Sequence, residues 1–277
     1  MNNIISINTS KNILQTTVYA SLFVQVITGI FDFYVLKLNV VPSMMILKDL
    51  LLLELVVQLI EGSFYIWLAY SFVSIENITP HRYYDWFLTT PTMLITFSIY
   101  LIYLKNEYEQ KLNTNTNTTK TIKLLRQLTP EFPRFSLRLQ QAPFATLKAS
   151  ARSNNDTDTF VQILQKNAYI LIPIVLLNAL MLIFGYLGEI NIIKEKIAVL
   201  CGFIPFILCF TLIYEKYAKY SEQGIILFWY FVSVWSLYGV AALFPYNLKN
   251  IFYNILDLFA KNFFGLYLAY IIWHNKI

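Results

Sequence analysis

Long apolar runs separated by polar stretches organise the chain, with spans at 14–36, 46–73, 82–104, 168–187, 194–214, 224–244 and 250–273. Each is long enough to cross a bilayer at about 1.5 Å per residue. The expected fold class is therefore all-α, a bundle of seven transmembrane helices. No small-residue cleavage site follows the first run, so it reads as the first helix and not as a signal peptide.

Four of these runs carry polar residues at helical spacing. The first has Ser21, Gln25, Thr28 and Asp32 at i, i+4, i+7 and i+11, one stripe that must face protein or water. Interhelical hydrogen bonding alone would account for its serine and threonine, and Asp32 could simply lie at the membrane interface. The second run has Glu54, Gln58 and Glu61 on one face among leucines and valines. A structural role for these two glutamates is the lesser reading, and an ion or proton path the greater. In the third, Asp85, Thr89 and Thr96 share a face, with Arg82 one turn before the aspartate. The last run steps through Asn250, Asn254, Asp257 and Lys261 at intervals of three and four. An ionisable side chain at such depth costs several kcal/mol unless paired, so Asp85 needs a cation, and Arg82 and Lys261 are the candidates. A lysine held away from water is also the group that condenses with an aldehyde to a Schiff base.

Composition agrees with the membrane reading: of 277 residues, 57% are hydrophobic and 13% charged, where a soluble domain has about 25% charged. Setting Arg82 and Lys261 aside, the 21 Lys and Arg place four on the N-terminal side of the spans and fifteen on the other. The positive-inside rule then puts the N-terminus outside, although ten of the fifteen belong to one long loop, where the rule weakens. The chain reads as one seven-helix domain, 1–277, with a long basic cytoplasmic loop at 105–166 between helices 3 and 4. In that loop Asn113 to Thr119 is low-complexity, 120–128 is expected as a short basic amphipathic helix on the anionic leaflet, and Arg134 to Gln140 alternates like a strand. Cys201 and Cys209 are eight residues apart in one run, too far to bridge on a helix. The fourth and fifth runs look like scaffold. The aromatic residues Trp229, Trp235 and Tyr238 of the sixth are either packing or the wall of a slot for a flat ligand.

Three separated motifs carry a family resemblance: Arg-Tyr-Tyr-Asp-Trp-Phe-Leu-Thr-Thr-Pro at 82–91, Trp-Ser-Leu-Tyr at 235–238, and Asp-Leu-Phe-Ala-Lys at 257–261. Together they resemble the third, sixth and seventh helices of microbial (type 1) rhodopsins. The paired glutamates of the second run and the Thr-Thr-Pro-Thr-Met-Leu stretch are most similar to the viral rhodopsins. The resemblance implies all-trans retinal bound covalently to Lys261, with Asp85, Asp257 and Arg82 as the counterion group. It also implies a retinal pocket of Trp86, Thr89, Thr90, Met93, Trp235 and Tyr238. Implied partners are membrane lipid and small cations or protons, with homo-oligomers as an option and no nucleic acid. The expected location is a plasma membrane or other host-cell membrane, and no enzymatic activity is expected.

Departures from the family pattern bear on activity. Proton pumps of the bacterial type carry a carboxylate eleven residues after the counterion, and Thr96 stands there. Gly239 and Ala242 replace a proline and a tryptophan, which loosens the pocket. The segment from Phe244 to Asn254 contains no Asp or Glu, so the outer acidic pair of those pumps is missing from it. The expected function is a light-gated cation channel whose path uses Ser21, Gln25, Thr28, Asp32, Glu54, Gln58, Glu61, Thr96, Asn250 and Asn254. An outward proton pump with Glu54 as substitute donor is the alternative, and a photosensor acting through the basic loop is third.

Overall fold

The computed structural model describes residues 2–128 and 158–277. They form seven helices: α1 (Asn2–Leu36), α2 (Met45–Ser71), α3 (Thr79–Leu128), α4 (Phe160–Glu189), α5 (Glu195–Lys216), α6 (Glu222–Ala242) and α7. The last of these runs Tyr246–Asp257, passes through a π-helical segment at Leu258–Asn262 and continues over Phe263–His274. Consecutive helices pack side by side and α7 returns to α1, closing a ring. Six of the seven are long and apolar enough to cross a membrane on these grounds alone, and α2 completes the ring between α1 and α3. The chain is an integral membrane protein.

The span boundaries hold to within a few residues except around the 105–166 segment and at the start of α1, which begins at Asn2, twelve residues before the apolar run. No glycine or proline lies between Lys105 and Leu128, so nothing stops α3 where its hydropathy falls, and it continues to Leu128, two residues before Pro130. The low-complexity asparagine–threonine stretch and the basic 120–128 stretch are both helical and belong to α3, which at 50 residues is about 75 Å long. At its other end the segment becomes helix at Phe160, where Thr159 and Gln162 form a capping box. The strand expected at 134–140 and the prolines at 130, 133 and 143 lie outside the described residues.

Pro91, Pro173 and Pro205 sit inside α3, α4 and α5, and the helices continue through them. The apolar core lies toward the cytoplasmic half, where Phe97 of α3 stacks on Phe231 of α6 at 4.3 Å and Phe264 of α7 meets Phe231 edge-on at 5.2 Å. At the outer end, α4 and α5 approach closely at Gly188. A Cβ there would lie 2.5 Å from that of Ala198, inside any allowed contact. Gly188→Val should therefore lower the stability of the detergent-solubilised protein by about 1–3 kcal/mol, read as earlier thermal unfolding. Wild-type stability in that variant would show that the helix pair can part there freely.

Candidate functional site

Lys261 lies on the π segment of α7, where the widened turn directs three successive residues, Ala260, Lys261 and Asn262, into the bundle. Its ammonium is 1% exposed as a residue and meets three carboxylates from three helices. Nζ donates to Asp85 Oδ2 at 2.6 Å and lies 3.3 Å from Glu61 Oε1 and 3.7 Å from Asp257 Oδ1. Asp85 and Asp257 were anticipated from sequence as its neighbours. Glu61 was assigned to the ion path, and the structure sets it directly on the lysine.

Arg82 is fully buried but does not pair with Asp85, its neighbour on α3. Its guanidinium instead crosses to α7, with Nη1 3.4 Å from Asp257 Oδ2, Nε donating to Asn250 Oδ1 at 3.0 Å, and Nη2 donating to Asn254 Oδ1. Tyr65 of α2 donates to Asp257 Oδ2 at 2.8 Å, and Tyr238 of α6 donates to Asp257 Oδ1 at 2.8 Å. Asn254 reaches Thr17 of α1 at 2.8 Å, and Ser21 donates to the Asn254 carbonyl at 3.1 Å. This outer network was legible only in part. Tyr65 continues the Glu54, Gln58, Glu61 stripe at the next step of four, a signal present in the sequence but set beside Phe64 and Trp67, where a tyrosine reads as aromatic packing.

Toward the cytoplasm α1, α2, α3 and α7 present a second polar group. Gln58 Nε2 donates to Asp32 Oδ2 at 2.6 Å, and Asn262 Nδ2 donates to Thr28 Oγ1 at 2.6 Å. Asp32 is fully buried, which overturns the interface reading: it faces Gln58 across the α1–α2 contact, not solvent. Glu54 is fully buried beside it, facing Thr96. Small residues make the room. A Cβ on Gly265 would fall 2.8 Å from both Asp32 Oδ2 and Gln58 Nε2. Buried oxygens and nitrogens of Gln25, Asp32, Glu54, Gln58 and Asn262 have no hydrogen-bond partner among the described residues. Thr96 is fully buried, whereas Thr92, on a neighbouring position of α3, is half-buried toward the outside of the ring and bonds only its own helix.

On the opposite side of Lys261 is an apolar cavity. Trp86, Thr90 and Met93 of α3, Trp235 and Tyr238 of α6, and Lys261 line it. Thr89 does not: it is fully buried behind the wall, donating to the Asp85 carbonyl at 2.9 Å. Trp229 is 56% exposed and points out of the bundle. The helices read as scaffold supply much of the wall, with Met181, Leu182 and Gly185 from α4 and Phe203 and Phe206 from α5. Gly239 and Ala242 also line it, where larger residues would fill the space. Asn178 of α4, passed over as a lone polar residue in an apolar run, donates to Thr90 Oγ1 at 2.8 Å and ties the wall to α3.

A closed ring of seven membrane-crossing helices around a lysine–carboxylate centre, with an apolar cavity on one side, is the architecture of the rhodopsin-type membrane proteins. The chain belongs to the bacteriorhodopsin-like protein family, which matches residues 13–126 and 159–275. Members of this family bind retinal covalently through a Schiff-base lysine. Among solved structures, the chain is similar to the viral rhodopsin OLPVRII, at 22% identity over 94% of this chain and 98% of that one, with a TM-score of 0.65. It is also similar to the blue light-absorbing proteorhodopsin from Med12, at 14% identity over 94% and 97% of the two chains and a TM-score of 0.61. Halorhodopsin from Halobacterium salinarum matches at 13% identity over 98% and 97%, with a TM-score of 0.59. These likenesses are of fold. No curated protein matches the chain by sequence.

Removing Arg82 leaves Asp257, Asn250 and Asn254 without their shared donor in a site closed to water. Breaking a buried pair in this way costs about 3–5 kcal/mol. Arg82→Met should therefore destabilise the protein strongly in thermal unfolding, while Thr92→Val should stay within about 0.5 kcal/mol. Equal stabilities for the two variants would show that the outer network carries no net energy.

Proposed function

We propose that the chain is a light-gated cation channel with all-trans retinal held on Lys261. The observation that carries the channel reading is the run of buried polar atoms without partners on α1, α2 and α7, from Gln25 through Asp32, Glu54 and Gln58 to Asn262. Buried polar groups are satisfied by protein or by water, and a file of unsatisfied ones in a membrane protein is a place for water and the ions it carries. Its carboxylates favour cations. Among the described residues α4 and α6 contribute only Asn178 Oδ1 and Trp235 Nε1 to the unpartnered buried atoms and no carboxylate, so the hydrated route lies on the α1, α2 and α7 side of the bundle.

The residues around Lys261 fit retinal. A primary amine ends an apolar slot walled by Trp86, Trp235, Tyr238 and Met93, and Asp85, Asp257 and Glu61 balance the positive charge a protonated linkage carries. Bound there, retinal supplies light absorption and an isomerisation that moves that charge. The chain does the rest. Asp85 holds the cationic end in the dark, and its carboxylate is the nearest proton acceptor. Glu61 stands between this centre and the inner polar file, so a change in charge at Lys261 is felt first on α2. Arg82, tied to Asp257, Asn250 and Asn254, closes the outer half.

A proton pump remains the second reading because Glu54, fully buried opposite Thr96, sits where a donor to the lysine would have to come from α2 and not α3. Pump current keeps one direction, whereas channel current reverses at the permeant ion's equilibrium potential. Under voltage clamp we expect a reversing photocurrent whose reversal potential follows external cations, reduced in Glu54→Ala and Glu61→Ala. Strictly outward current at all voltages, slowed by Glu54→Gln, would establish the pump.

The chromophore assignment has its own test. Purified protein given retinal should absorb visible light, and Lys261→Ala should stay colourless. Asp85→Asn removes the nearest anion from the cationic end, which stabilises the ground state more than the excited state, so the band should move to the red. An unmoved band would make Glu61 or Asp257 the dominant counterion.

A further inference from the structure

At the outer end of the bundle lies a charge cluster that the function above does not use. The turn from α4 to α5 is short, and Asn191 in it adopts a positive φ of 60°, a conformation asparagine tolerates better than most residues. That turn brings Glu189, the last residue of α4, and Glu195, the first of α5, to the same side. Lys249, in the first turn of α7, is set between them: Nζ is 3.0 Å from Glu189 Oε1 and also bonds Glu195 Oε1. The lysine is 6% exposed, and the side chain of Glu189 8%.

Lys249 is badly placed for helix stability. The N-terminus of a helix is the positive end of its dipole, where a cation is disfavoured. Burying an ammonium there is tolerable only with the two glutamates in contact. The cluster borders a polar vestibule lined also by Asn77, Asn191 and Tyr246. From the next residue, Asn250, hydrogen bonds lead inward to Thr79 and Arg82. Tyr246, which lines the vestibule, accepts from Asn250 Nδ2 on its carbonyl at 3.0 Å, so the vestibule abuts the outer end of the polar network that runs through Arg82 to Asp257 and Lys261.

We propose that Lys249 is a tethered cation that plugs the outer end of the ion path, its ammonium taking the place between Glu189 and Glu195 that an incoming cation would take. The gating role rests on the channel reading; the occupation of a carboxylate pair by a side-chain cation does not. Two carboxylates freed of their lysine form an oxygen-lined site for a hard cation. With Lys249 in place, the same pair is neutralised and crowded.

Terbium(III) tests the occupation in the dark. Purified Lys249→Gln should bind Tb³⁺ about tenfold tighter than wild type, seen as emission sensitised through nearby tyrosine, and adding Glu189→Gln should remove the gain. Equal binding by wild type and Lys249→Gln overturns the proposal. In voltage clamp, Lys249→Gln should conduct at least about twofold more inward current with an unchanged absorption band. A second variant covers the case in which Lys249→Gln forms no pigment. In Lys249→Cys the larger current should fall back when a trimethylammonium methanethiosulfonate reagent is applied from outside, while wild type, with Cys201 and Cys209 in the membrane, should not respond. Wild-type current that neither variant raises overturns the plug. No reversing current in wild type or either variant overturns the channel reading, and the terbium comparison then decides the occupation by itself.

Discussion

The structure depends on one costly object, the charge of Lys261 buried in the middle of a membrane. At about 4 Å two unit charges interact by about 4 kcal/mol at the effective dielectric of a protein, so no single partner repays the loss of water. Three carboxylates converge on the ammonium, and they come from α2, α3 and α7. This convergence dictates much else. Asp257 must serve Lys261, Arg82, Tyr65 and Tyr238 together, which pins α2, α3, α6 and α7 at one depth. The π segment follows from the same demand, because an unbroken α-helix would not aim Ala260, Lys261 and Asn262 all inward.

Polarity then divides about that lysine. On the α4–α6 side the wall is aromatic and aliphatic, with glycines where the ring of helices must stay open. On the α1–α2 side the same depth holds glutamate, glutamine and aspartate. Lys261 and Tyr238 both line the apolar cavity and also bond carboxylates of the polar side, and of the two only Lys261 carries a charge. A ligand in the cavity can therefore act on the polar side most directly through this one side chain, by moving its charge. That is a physical reason for one lysine to join two halves with such different chemistry.

What the sequence could say follows from this division. Stripes at helical spacing report faces of single helices, and so the positions of Asp85, Lys261, Glu54 and Asp32 were legible. Contacts between helices were not. That Arg82 prefers Asp257 to Asp85, that Glu61 touches Lys261, and that Lys249 meets Glu189 and Glu195 all depend on how residues far apart in sequence are brought together. Charged residues at helix ends read as interfacial for the same reason. Hydropathy also marks where a helix leaves the membrane and not where it ends, which is why α3 outruns its apolar stretch through a sequence free of glycine and proline. Asn178 is a lone amide in an apolar run, and spacing along its own helix does not show that it reaches Thr90 of α3.

The two halves of the polar side differ in how fully their groups are paired, and this locates the resistance to an ion. In the outer half Arg82, Tyr65, Asn250 and Asn254 are bonded to one another or to Asp257, Thr79 and Thr17. An ion passing there must break bonds that are already made, each to a charged or buried partner. In the inner half Gln25, Glu54 and the free oxygens of Asp32 and Gln58 have nothing to give up and gain partners when water arrives. Hydration therefore costs least on the cytoplasmic side and most at Arg82, so in the proposed channel the barrier to an ion lies between Lys261 and the outer surface. The guanidinium reaches Asp257, the carboxylate that also faces Lys261, so a displacement of charge at the lysine weakens the hold on Arg82 without any intermediate element.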